Sequence, residues 1–394
     1  MTVPSAPPLV VAAEEGNIAV IETLLSYGAS VDARDSSGRT ALMVATQRND
    51  VALAKRLIEA GSDVNARDVV MLTPYLCAGA NGFSQIFKAT IAAGADRESV
   101  NRFGGTPLLP SSEKGFLRTV RICLDAGIPV NRSNDLGWTA LLEAVILGDG
   151  GRLYADVIEA LVEAGADPNM RDHDGKSSIQ HAGELGQQRV LAIFRGNAKD
   201  SGPAARAIKE AKELEKRERY EEALLAVEAS LATHPQDLDL LYYHGYYLYE
   251  LGKGAESIRS FEMARALQPD DIGFYLYMAY AHRMLRQQEA ALDVFDEGIA
   301  RKPNLAFLRY HKSNYLRELG RHEEAVIVMN ELLAQQPQRY DYSFHKANSL
   351  RSLGRHEEAV TAIENAIAAD PINPLYSRHR QESLRLLGHK IGNK

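Results

Sequence analysis

Three arginines, Arg283, Arg317 and Arg351, recur at intervals of 34 residues, and Asn314 and Asn348 stand three positions before the last two. A guanidinium offers a flat fork of N–H donors that matches a carboxylate or phosphate. A carboxamide can pair with a peptide backbone through one donor and one acceptor. Aromatic residues fill related places in the same stretch: Tyr242, Tyr246, Tyr249, Tyr280, Tyr310 and Phe344. Tyrosine supplies apolar area with a polar tip, the composition of binding hot spots. Fourteen of the chain's 17 tyrosines lie after residue 202, so the enrichment belongs to this stretch. The set suits recognition of an extended ligand carrying an anionic group.

Other chemistries find less support. His311 and His345, like His322 and His356, also stand 34 residues apart. One repeat separates such a pair by about 10 Å, beyond what Zn–N bonds of ~2 Å to a single ion allow. The acidic pairs Glu221-Glu222, Glu323-Glu324 and Glu357-Glu358 fall where helices begin, and the helix dipole favours carboxylates there. The loop Gly148-Asp149-Gly150-Gly151 has no following Lys-Ser/Thr and no preceding strand, so it is no phosphate-binding loop. Cys77 and Cys123 lack the spacing of a zinc site or a disulfide framework and read as small core residues. No metal, cofactor or catalytic residue is expected.

What positions the arginines is a repeat. Prolines stand at Pro235, Pro269, Pro303, Pro337 and Pro371, 34 residues apart. Small residues precede each by 24 (Ala211, Gly245, Ala279, Ser313, Ala347) and by 12 (Ala223, Ser257, Ala291, Ala325, Ala359). Five before each proline come Ser230, Ala264, Gly298, Leu332 and Ala366. Helices approach closely only where side chains are small, and proline ends a helix. Each repeat therefore reads as helix, turn, helix, stop. The pattern resembles the tetratricopeptide repeat (TPR) family over residues 203–371, in five units, with a polar capping helix and tail at 372–394.

That resemblance implies a concave face lined by the first helix of each repeat and used to bind peptides. The positions three before, one after and four after the first small residue share one helix face. They give Ile208, Lys212 and Glu215, then Tyr242, Tyr246 and Tyr249, then Leu276, Tyr280 and Arg283. The fourth and fifth repeats give Tyr310, Asn314 and Arg317, and Phe344, Asn348 and Arg351. Co-chaperone members of the family hold a C-terminal carboxylate with Lys at the first of these positions and Asn at the second. No repeat here has that pair, so a chaperone-tail clamp is not expected.

An earlier period fills residues 1–195. Glycines recur at Gly28, Gly61, Gly94, Gly127 and Gly165, and Thr40, Thr73, Thr106 and Thr139, then Ser177, open the helices that follow. Threonine caps a helix start, proline suits its first position, and glycine takes the left-handed end. The stretch resembles the ankyrin repeat family in about six units, with capping units at both ends. Departures are visible. The family's usual histidine after Thr-Pro-Leu is replaced by Met43, Leu76, Leu109, Leu142 and Gln180. Pro110 falls inside a first helix and is expected to disturb it. Five extra residues around Gly148–Arg152 are expected to lengthen a loop. Residues 137–151 look like bacterial ankyrin proteins. The turn tips carry Val69, Val70, Met71 and Phe103 where polar residues are usual, a candidate contact surface for a second partner.

The chain has 394 residues, 45% hydrophobic and 25% charged, with a net charge of −7, which argues against affinity for nucleic acid. No apolar stretch approaches the ~20 residues of a membrane helix, and the start is not a secretory signal. The expectation is a cytoplasmic, non-enzymatic, all-α double solenoid with a linker at 196–202. It would act as an adaptor whose two faces bind two protein partners. The alternatives are an exported bacterial effector acting on host proteins and, less favoured, an enzyme or enzyme regulator with a site between the arrays.

Overall fold

The computed structural model describes residues 6–69, 71–101, 103–196, 203–337, 340–369, 377, 380–381 and 383–388. Val70, Pro371, most of the expected linker and most of the C-terminal cap lie outside the described residues. The chain divides into two compact domains, 1–196 and 197–394, and both are all-α.

The first domain stacks paired helices: Pro8–Glu15 with Ile18–Ser26, Ala41–Gln47 with Val51–Glu59, Pro74–Ala80 with Ser84–Ala92. Leu108–Glu113 with Leu117–Asp125, Ala140–Leu147 with Arg152–Glu163 and Ser178–Glu184 with Gln188–Phe194 follow. First helices pack on first helices and second on second. Hydroxyls of Thr40, Thr73, Thr139 and Ser177 accept the N–H three residues on, closing one donor at each helix start. Between pairs, Asp35, Asn101, Asn134 and Asp172 fold back to accept the N–H groups two and four residues on. Asn65 and Asn131 tie adjacent repeats together. Each takes the N–H of Asp96 or Asp167 and gives one to the carbonyl of Gly94 or Gly165.

Three departures from the repeat have visible causes. Pro110 does not break its helix, because it falls in the first turn, where an N–H has no helical partner anyway. Its ring leaves no room for the usual Thr106 carbonyl contact, so Leu109 N–H bonds that carbonyl instead, and the Thr106 hydroxyl is left without a partner. The expected long loop at Gly148 is only four residues. Most of the insertion extends the next helix to 12 residues, against nine in Val51–Glu59. Finally, Gly38, Gly104, Gly137 and Gly175 occupy the left-handed position of each turn, but Met71 holds it at φ 64°. A non-glycine pays a strain of about 1–2 kcal/mol there. Met71→Gly should therefore raise stability by about 0.5–1 kcal/mol in urea unfolding, after the entropy cost of glycine.

The second domain pairs Pro203–Lys216 with Tyr220–Leu231, Leu238–Glu250 with Gly254–Leu267 and Ile272–Met284 with Gln288–Arg301. Ala306–Glu318 with His322–Gln335 and Tyr340–Ser352 with His356–Ala369 complete it. Here the second helix of each repeat packs on the first helix of the next. The small-residue rule holds physically at Gly245, where an added Cβ would lie 2.7 Å from the Phe261 ring. On the outside, Arg321 grips Glu324 of its own repeat and reaches back to Glu289 of the previous one at 2.7 Å. Arg355 does the same with Glu358 and Glu323.

Candidate functional site

The aromatic row is largely interior. Tyr242 and Tyr246 are 1% exposed and Phe344 is fully buried, while Tyr280 and Tyr310 keep only a rim. Tyr277, which the spacing did not single out, is the hub. Its ring lies against those of Tyr242, Tyr246, Tyr249 and Tyr280 and stacks on Phe261 at 5.4 Å. Burial also recruits hydroxyls inward: those of Tyr246 and Tyr247 donate to the buried carboxylate of Glu215, at 2.6 and 3.3 Å. Tyr249 is half-buried, and loss of solvation lifts its hydroxyl to about 12. These rings hold repeats together more than they face a ligand.

The three arginines share a register but differ in surroundings. Arg283 is neutralised: its Nη2 lies 2.9 Å from Glu318 and its guanidinium sits over the Tyr315 ring at 5.9 Å. Arg317 forms no ion pair among the described residues. Its Nη1 donates to Asn314 Oδ1 at 3.2 Å and to His345 Nδ1 at 2.7 Å. Arg351 donates to Asn348 Oδ1 in the matching geometry. The reason is legible in the sequence once the pairing is known. Glu318 stands 35 residues after Arg283, and the residue 35 after Arg317 is Ser352.

Arginine only donates, so the atom that each asparagine turns to it must be oxygen. The amide nitrogens of Asn314 and Asn348 are consequently turned away, and both are buried without a hydrogen-bond partner. The same rule fixes His345: Nδ1 accepts from Arg317, so the ring proton sits on Nε2, 3.4 Å from Tyr310 Oη. His311 makes the corresponding contact, with its Nδ1 3.1 Å from Tyr280 Oη. Burial pulls Arg317 below the usual arginine value, though it stays charged.

Arg317 also acts on His322, whose pKa is lowered first by burial and then by that charge. Burial lowers His244 likewise. Such a histidine protonates at a lower pH in the fold than in the open chain. Its contribution is present above about pH 6.5 and is lost as pH falls through the folded value. The second domain should thus lose stability on acidification below that pH. In Arg317→Gln the His322 titration, followed by NMR, should move upward.

At the ankyrin tips, Val69 is 65% exposed, whereas Met71 and Phe103 are half-buried. Val69 N–H donates to Ser37 O and Asp135 N–H to Phe103 O, so successive tips are joined through their backbones.

Stacked helical pairs with these turns, caps and small-residue contacts define a helical-repeat protein in both domains. The profile of ankyrin repeats in three copies matches residues 4–68 and 75–172, and that of the tetratricopeptide repeat matches 208–272, 244–306 and 310–374. The chain belongs to the ankyrin repeat family through its first domain and carries tetratricopeptide repeats in its second. It is similar to the ankyrin repeat domain of an Acinetobacter baumannii AYE protein, with 46% identity, covering 49% of this chain and 98% of that one at a TM-score of 0.47. It is also similar to the ankyrin repeat protein EF0377, with 34% identity, covering 48% and 98%, at a TM-score of 0.47. No curated protein matches the chain. Both repeat families are protein–protein interaction modules. Among the described residues, no helix is long and apolar enough to cross a membrane.

Proposed function

We propose that this chain is an adaptor: the first-helix face of its TPR domain takes a peptide, and the ankyrin tips take a second protein. The peptide reading rests on one observation. In the fourth and fifth repeats, donor side chains, Asn314, Arg317, Asn348 and Arg351, replace the packed tyrosines of the earlier ones. The ankyrin reading is supported by Val69, an apolar side chain held out at a tip whose turn also keeps a strained Met71. Strained backbone of this kind gathers at contact sites. Two faces on one chain join partners through effective concentration rather than new contacts.

The test is sequential affinity capture from native lysate with the full chain. Arg317→Gln/Arg351→Gln should lose one partner and Val69→Asp another, while a two-step capture recovers both together from wild type. If both variants lose the same partner, or neither loses any, the two-face adaptor is wrong.

A further inference from the structure

We propose that Arg317, with the side-chain amides of Asn314 and Asn348, forms an oxyanion seat where the fourth TPR repeat meets the fifth, and that it takes the carboxylate or phosphate of a bound peptide. The inference rests on the reading of that face as a peptide site and deepens it by assigning the ligand's chemical group and its place.

Four observations converge. Arg317 carries a charge that no carboxylate offsets among the described residues, unlike Arg283 in the same register. Its printed partners, Asn314 Oδ1 and His345 Nδ1, are neutral acceptors, and both bind Nη1. Nε and Nη2, the edge that grips an oxyanion in a bidentate way, are left over. The amide nitrogens of Asn314 and Asn348 are buried donors without partners, each turned by its own arginine. A buried donor left unmade costs the fold about 1–3 kcal/mol, and this fold keeps two at equivalent positions. What surrounds Arg317 is therefore a surplus of N–H donors next to a positive charge. A ligand that brings only acceptors and negative charge satisfies both. A peptide carbonyl would satisfy the amides alone, and a cationic ligand neither.

Contacts across the repeat boundary hold the seat in place. His345 comes from the fifth repeat, and its ring is edge-on to Tyr310 of the fourth at 5.8 Å. The fork of Arg317 is thus fixed from both sides rather than swinging on a surface stem.

The experiment uses the full chain labelled with 15N-asparagine and titrated with inorganic phosphate and with acetate, against sodium chloride at matched ionic strength. Saturable shifts of the Asn314 and Asn348 amide pairs are expected with the oxyanions. Arg317→Gln should weaken them about tenfold or more, and Arg283→Gln should leave them unchanged. Arg317→Lys, which keeps the charge without the fork, should fall between. Shifts equal to those in chloride, or an equal loss in Arg283→Gln, overturn the seat.

A second arm compares an alanine-rich hexapeptide with a free C-terminus, its C-terminal amide, and that amide carrying one phosphoserine. Tighter binding of either anionic form names the source of the oxyanion; equal binding of all three overturns the peptide assignment. Because the inorganic ions need no partner, a failed lysate capture with intact phosphate shifts would sink the adaptor reading and leave the seat standing. The converse result would do the reverse.

Discussion

Tyr277→Ala should remove about 3–5 kcal/mol from the TPR domain, the usual cost of deleting a buried aromatic ring. The ring is only 3% exposed and fills the junction between the second and third repeats. It stacks on Phe261 and meets Tyr242, Tyr246 and Tyr249 edge-on, at centroid distances of 5.9, 5.7 and 5.6 Å. Those neighbours belong to helices that touch little else able to replace it. Repeat stability is a sum of unit and nearest-neighbour terms, so the damage should be local. Hydrogen exchange read by peptide should show lost protection in Leu238–Glu250 and Ile272–Met284, with Ala41–Gln47 and Val51–Glu59 unchanged. Uniform loss over both domains would refute the local picture. Tyr277→Phe, which keeps the ring, should cost far less.

Gly298→Leu should cost about 3 kcal/mol, although leucine stands at the equivalent place, Leu332, in the next repeat. A Cβ at Gly298 would lie 2.4 Å from Leu308 Cδ1 and 2.9 Å from Tyr275 Cγ. Both neighbours are fully or nearly buried and have nowhere to go. The better helix propensity of leucine returns only about 0.7 kcal/mol against that strain. A double variant gives the decisive check. Leu308→Ala costs stability alone, but in the Gly298→Leu background it should restore part of what was lost, as contacting sites couple. Simple addition of the two losses in urea unfolding would mean that the clash is not the cause.

The period, the small positions and the helix caps were legible because each has a local cause: a proline that stops, a threonine that caps, a residue small enough for close approach. Pro110 shows the limit of such reasoning. Its effect depends on where within the helix it falls, and a shift of one turn changes breakage into a lost cap. The tyrosines show another. Counting by 3.6 placed Tyr242 and Tyr246 on the ligand face, yet positions beside the small residue also point to the next repeat, and large rings are drawn there by burial. Tyr277 was missed for the same reason. Its position, two before the small Ala279, was never on the chosen face. Arg283 and Arg317 were indistinguishable by register, since what separates them is an acid one repeat ahead. Comparing Glu318 with Ser352 would have revealed it.

The outer clasp formed by Arg321 and Arg355 has a consequence for how long the array can be. The fourth repeat carries both halves of the fastening: Arg321 reaches back, and Glu323 receives the arginine that follows. The corresponding arginine position is Lys253 in the second repeat and Gln287 in the third, so the earlier joints are not built this way. A duplicate of residues 304–337 inserted after the fourth repeat would meet a matching fastener on each side. That cassette is interchangeable as the others are not, and every added copy would bring another Asn-Arg pair in register.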